Sequence, residues 1–249
     1  PISLTNDSTI TNVGTDTVTM TGATSSGNAQ NNTLTIAGTG AVVLSGAMTD
    51  GSSSGVLSLA QTNSNQLQVS NTGNTFTGGV MVSTGTLAIT SNANLGSTSV
   101  AITLDGGILS LGTNGASYTI ANPITLSNSS TITNTGTSAV TFSSNIQNSS
   151  SNLTISGSGN ITIQGIVGSG SGSLIKAGAG TLTLSGANSY TGGSTINAGT
   201  IALGASNVLP DSGSITINSG TLDIGTYSDT VAAVTIGSSG GSITGSCGT

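Results

Sequence analysis

The side chains able to do acid–base, nucleophilic or metal chemistry are few and far apart. The chain carries seven acidic residues, all aspartate, one lysine (Lys176), one cysteine (Cys247) and no histidine. A catalytic nucleophile needs a base beside it, and histidine is the usual one. Paired-carboxylate glycoside hydrolysis needs two acids about 5–10 Å apart. Asp105 and Asp223 occupy nearby but not identical places in two copies of an internal repeat, so the repeat does not make them a pair. Asp105-Gly106-Gly107 and Asp211-Ser212-Gly213 have the composition of calcium loops. The Gly-Gly-x-Gly-x-Asp nonapeptide of calcium β-rolls is missing, and aspartate beside glycine is equally a turn signal. We therefore expect no enzyme, no cofactor and no metal site. Lys176 is expected to be solvated. Cys247 has no second thiol for an intrachain disulfide and is expected to act as a small apolar residue. Phe76 and Tyr190 offer rings on which a sugar could stack, but their equivalent places favour packing.

Charge excludes further classes. A single cation cannot neutralise a row of phosphates, so nucleic acid is not a partner. The same census excludes a polybasic membrane patch, and no apolar run approaches the ~20 residues of a membrane span, so no direct membrane insertion is expected. Aromatics make up 2% of the chain and hydrophobic residues 34%, too few large side chains for a wide core. A narrow core of Val, Ile, Leu and Ala, repeated coil upon coil, needs no more.

What must carry these residues is a stack of strands. Gly180-Thr181-Leu182, Gly199-Thr200-Ile201 and Gly220-Thr221-Leu222 recur at spacings of 19 and 21 residues. A period near 20 with β-type runs between glycines indicates a solenoid. Thr181-Leu182-Thr183-Leu184 and Ser214-Ile215-Thr216-Ile217 alternate hydroxyl and aliphatic residues, which puts them on opposite faces of a strand. Stacking like on like predicts one interior column through Leu182, Ile201 and Leu222. A second column is predicted through Leu67, Leu87 and Leu109, and asparagines are expected to form ladders. No stretch has helical apolar spacing. The fold expected is all-β, a parallel β-helix (β-solenoid) with about 20 residues per coil and no helices.

A longer repeat lies above the short one. Residues 1–12 read Pro-Ile-Ser-Leu-Thr-Asn-Asp-Ser-Thr-Ile-Thr-Asn, and residues 123–134 read Pro-Ile-Thr-Leu-Ser-Asn-Ser-Ser-Thr-Ile-Thr-Asn. Phe76 matches Tyr190 in this scheme, Tyr118 matches Tyr227, and Phe142 takes the place of Met20. We read residues 1–249 as a single β-solenoid with internal long repeats at 1–122 and 123–233 and a partial third copy at 234–249. A chain that stops inside its own repeat is expected to be a fragment of a longer one. Its open sheet ends are expected to pair with the rest of that chain or with other copies.

Residues 178–201 read Gly-Ala-Gly-Thr-Leu-Thr-Leu-Ser-Gly-Ala-Asn-Ser-Tyr-Thr-Gly-Gly-Ser-Thr-Ile-Asn-Ala-Gly-Thr-Ile. With Lys176 before it, this stretch resembles the autotransporter-associated β-strand repeat of bacterial passenger domains. The resemblance covers about residues 174–204. A degraded copy covers about 57–90, where Asn65 and Gln66 replace the first Gly-Thr. The resemblance implies a right-handed β-helix exported to a bacterial cell surface. The function expected is structural: a stalk, fibre or adhesin shaft, able to assemble end to end. The alternative is a binding module whose outward threonine rows contact a repetitive ligand, host or matrix glycan or ice.

Overall fold

The computed structural model describes residues 1–51, 54–112 and 115–246 of the 249-residue chain. The chain divides into two compact units, one of residues 1–112 with 121–123, the other of residues 113–120 with 124–249. Cys247 lies outside the described residues. Both units are parallel β-solenoids with about 22 residues per coil.

Each coil of the first unit bends into three faces. Its first coil runs through strands Ile2–Leu4, Ser8–Asn12 and Val18–Met20. The second lays Thr24–Ser26, Asn32–Gly38 and Val42–Leu44 on these in parallel, pairing Ile2 with Thr24, Ile10 with Ile36 and Val18 with Val42. A third coil follows the same path, and two later coils keep strands on only two of the faces. On one of these an interior column rises through Val42, Leu67, Leu87 and Leu109, all at 0% exposure. The second unit repeats the plan. Its column runs through Tyr118, Val140, Ile161, Leu182, Ile201, Leu222 and Ile243.

Alternation along each strand creates these columns. In Thr181–Leu184 and Thr200–Leu203 the threonine and alanine positions are half-exposed and the Leu and Ile positions buried. Each fully buried aliphatic side chain contributes about 1.5–3 kcal/mol. Outside, Thr119, Thr141, Thr162 and Thr183 stack in one row, and Thr181, Thr200 and Thr221 in the next.

Coil length varies because corners vary. Leu182 and Ile201 are 19 residues apart, whereas Thr24 and Met48 are 24 apart. The period near 20 came from the tightest coils. Among the described residues there is no α-helix; one 3-10 turn, Asn92–Leu95, stands where a strand is missing.

One corner design occurs in both units. The buried Asn12 amide donates to the Asp16 and Ala41 carbonyls at 2.9 and 2.8 Å and accepts from the Gly14 N–H at 3.1 Å. Asn134 does the same with Ser138, Asn160 and Gly136 at 3.0, 2.8 and 3.0 Å. The next coil crosses each asparagine on a glycine, Gly38 at φ +106° and Gly157 at φ +92°. A Cβ on either would lie 2.1 Å from the carbonyl oxygen of the asparagine below.

Gly240 shares the φ of +92° but has nothing within 4 Å of its would-be Cβ. Gly240→Ala is therefore expected to cost about 1 kcal/mol of backbone strain. Gly157→Ala adds a backbone clash and is expected to cost several times more. Denaturant midpoints of the two variants separate these terms.

Candidate functional site

Asp50 and Asp7 brace the main chain around them. Asp50 Oδ1 accepts from the Leu57 and Thr77 N–H groups at 2.8 and 3.0 Å, and Oδ2 from the Thr77 hydroxyl at 2.6 Å. Asp7 Oδ1 accepts from the Thr33 N–H of the next coil at 2.7 Å. Asp105 and Asp223 fall in different units, each on a half-exposed strand position. Asp211 is exposed in a turn before Ser214–Ile217. Among the described residues no three His, Cys, Asp or Glu side chains gather as a metal site would need.

The most elaborate arrangement surrounds the aromatic residues. Phe76 and Tyr190 are both at 0% exposure. Each sits on a coil where one face loses its strand, so backbone groups above and below need other partners. Asn74 and Asn188 supply them. Asn74 Oδ1 accepts from the Met48 N–H one coil below at 2.9 Å, and Nδ2 donates to the Asn94 carbonyl one coil above at 2.8 Å. Asn188 repeats this with the Val167 N–H and the Val208 carbonyl, both at 2.7 Å. A side-chain amide carries the same donor and acceptor as a peptide group, and here it bridges two coils in place of a strand. The ladder expected of asparagines is thus mostly side chain to main chain. Asn218, which donates to Asn197 Oδ1 at 2.7 Å, pairs amide to amide.

The ring beside each asparagine fills the width the missing strand leaves. Gly96 passes so close over Phe76 that a Cβ would lie 2.5 Å from its carbonyl oxygen and 2.9 Å from its ring. Tyr190 needs more than space, because burial without a partner for its hydroxyl is costly. Its hydroxyl lies 2.7 Å from Ser194 Oγ, and burial holds the phenol well above its ordinary pKa. Val80 is the counterpart of Ser194: it pairs with Leu59 as Ser194 pairs with Leu174. The two copies thus hold matched pairs, Tyr with Ser and Phe with Val.

Lys176 corrects the expectation of a solvated lysine. It is 1% exposed, in an interior column between Ile155 and Ile196. Its ammonium donates to the Ala177 and Gly178 carbonyls at 3.0 and 2.7 Å, and burial pulls its pKa down to about 8. Gln61 holds the equivalent place in the first copy, donating to the Asn63 and Asn65 carbonyls at 3.1 and 3.3 Å. Its Oε1 is left buried without a partner. Lysine has donors only, so it closes a ring of carbonyls without stranding an acceptor.

These features define a class: a parallel β-solenoid with an asparagine–aromatic insert replacing one strand. Residues 59–89 and 174–203 match the family model of the passenger-associated-transport repeat, so the chain carries this repeat twice. No curated protein and no solved structure matches the chain. Each matched segment holds both members of two stacked pairs, Leu59 with Val80 and Leu67 with Leu87 in the first, Leu174 with Ser194 and Leu182 with Ile201 in the second.

Tyr190→Phe is expected to cost about 1–2 kcal/mol by leaving the Ser194 hydroxyl buried and unpaired. Ser194→Val in the same chain is expected to restore most of it, since it recreates the Phe76–Val80 pair. A double-mutant cycle read by urea denaturation checks the coupling.

The lowered Lys176 pKa sets a pH dependence. Above about 8 the folded state sheds the proton while the unfolded chain keeps it to about 10.4, so stability rises with pH in between. The buried Tyr190 phenol works the other way only near pH 10, where unfolded tyrosine ionises. Melting temperature is therefore expected to climb between about pH 8 and 9.5, and this slope is expected to vanish in Lys176→Gln.

Proposed function

We propose that the chain is a structural segment of an autotransporter passenger, serving as stalk, fibre or adhesin shaft on a bacterial cell surface. The observation that carries this reading is the passenger repeat, present twice and each time built into a stacked coil. A repeat of this family belongs to secreted or surface proteins. The role in this reading is mechanical: Asp7, Asp50 and Lys176 serve the main chain around them. The partners are further coils of the same kind, stacking on sheet edges such as Ala233–Ile236. Val234, Ile236 and Ile243 stand there in register above the interior residues Ile215, Ile217 and Leu222, yet are 43%, 52% and 44% exposed.

A second reading draws on the paired threonine rows of the second unit, which present hydroxyls and methyls at strand spacing, about 4.8 Å apart along the stack. A neutral glycan or an ice surface suits such a face.

Light scattering and electron microscopy of the purified protein are expected to show end-to-end association that grows with concentration. A chain that stays single at every concentration and pH, while glycan-array or ice-recrystallisation assays respond, would favour the second reading.

A further inference from the structure

The outer wall of the second unit is notched where one outward position is a glycine. Strands Ile146–Gln147 and Val167–Gly168 stack there, Gln147 on Gly168. Ser189 lies one coil further, its N–H donating to the Val167 carbonyl at 3.0 Å. A Cβ on Gly168 would lie 2.1 Å from Ser189 Oγ, so the gap in this row is one that only glycine leaves. Asn145, Gln147, Ile166, Ser169 and Ser189 border a cleft of about 180 Å³ around it, and none of them is ionisable.

The polar side chains of the cleft already have their acceptors engaged. Asn145 Oδ1 accepts from the Ile166 N–H at 2.9 Å, and Gln147 Oε1 accepts from the Ser169 hydroxyl. Ser189 Oγ accepts from the Ser169 N–H at 3.3 Å. Ser169 makes both of its contacts from a left-handed backbone, φ +78°, which residues other than glycine seldom adopt. An amide whose oxygen is engaged still has two N–H donors, and a hydroxyl that accepts still has its proton. Asn145 Nδ2, Gln147 Nε2 and the Ser189 hydroxyl donate to no partner among the described residues, so the cleft presents donors. Beside them Ile166 is 40% exposed, an apolar patch in the same cleft.

The coil itself does not need these residues. The first unit takes the same path at Thr24–Ser26 and Met48–Thr49, where Asn74 accepts the Met48 N–H as Asn188 accepts that of Val167. Ala23, Ala47 and Thr49 stand there in place of Asn145, Ile166 and Gly168. Both copies stack, so the donors, the isoleucine and the gap are additions to the coil.

A ligand group suited to the cleft accepts hydrogen bonds, is neutral and has a small apolar end. A carboxylate would meet no cation here, on a chain of net charge −6. A bare sugar hydroxyl offers nothing apolar to Ile166. An acetamide answers both: its carbonyl takes the donors and its methyl lies on the isoleucine. We propose that this notch is a subsite for the acetamido group of an N-acetylhexosamine. It lies on a different sheet from the paired threonine rows and involves neither end of the chain, so it stands or falls apart from both readings above.

The test is saturation-transfer NMR of the purified protein with N-acetylglucosamine and with glucose, affinities being taken from titration. The acetylated sugar is expected to bind at least about fivefold more tightly than glucose, with the strongest transfer to its methyl protons. Asn145→Asp and Gln147→Glu keep the oxygens that hold the Ile166 N–H and the Ser169 hydroxyl but remove the donors. Each is expected to weaken binding at least about fivefold while circular dichroism stays unchanged. Ile166→Ser is expected to abolish the preference over glucose. All three positions are exposed, and if one variant folds poorly the other two carry the test. Binding that ignores all three substitutions overturns the subsite, and its loss in Thr183→Val instead moves the ligand to the threonine rows. No transfer to either sugar also overturns the subsite and leaves the shaft reading standing. Host glycans and bacterial cell-wall glycan both carry the group. N-acetyllactosamine and the disaccharide of N-acetylglucosamine and N-acetylmuramic acid, titrated in parallel, distinguish the two sources.

Discussion

Between one coil and the next, everything depends on register. A main-chain N–H meets a carbonyl of the coil above only if the two coils carry their strands through the same point of the path in step. When they do, Leu67 lands under Leu87 and Leu182 under Ile201, and the hydrophobic and hydrogen-bonded ladders close together. A slip of one residue would turn every inward aliphatic outward, since side chains alternate faces. Few large residues are needed because each coil is capped by its neighbours and no side chain must reach across a wide core.

Register must survive the corners, and that is where the polar residues work. A corner breaks the ladder and exposes groups that no strand partner can reach. Asn12 and Asn134 close their corners with three hydrogen bonds each and leave room only for a glycine above. Asn74 and Asn188 go further and replace a rung of the ladder outright. Lys176 and Gln61 thread an aliphatic column with a polar tip that reaches the carbonyls of the following bend. The uncharged, Asn- and Gly-rich composition is thus a requirement of the corners as much as of the surface.

The strands were legible in the sequence because alternation is local: Thr181-Leu182-Thr183-Leu184 declares its two faces by itself. The interior columns followed from spacing alone. Lys176 was not legible, since a lone lysine carries no sign of which way it points until the carbonyls of Ala177 and Gly178 are seen around it. Yet Gln61 at the matching place was a visible signal, because two long polar residues replacing an inward aliphatic at the same point of a repeat imply a shared partner. The bridging role of Asn74 and Asn188 was hidden for a different reason. Their partners, Met48, Asn94, Val167 and Val208, lie about one coil away, outside any local pattern.

The length of the recurring segment follows from the same geometry. A stretch one coil long would contain a strand but not the strand that stacks on it. The two matched segments, residues 59–89 and 174–203, run about half a coil further, far enough to enclose two stacked pairs and, between them, the asparagine and the ring of the strandless face, though not the main-chain groups that the asparagine bridges. Selection on the fit of Leu182 to Ile201, or of Tyr190 to Ser194, therefore acts within one contiguous stretch. Elsewhere the partners of a coil are spread over neighbours whose corner lengths differ, so their residues can drift as long as inward positions stay aliphatic. That explains why a recognisable pattern stands out at two places in a chain whose strands stack by the same rule elsewhere.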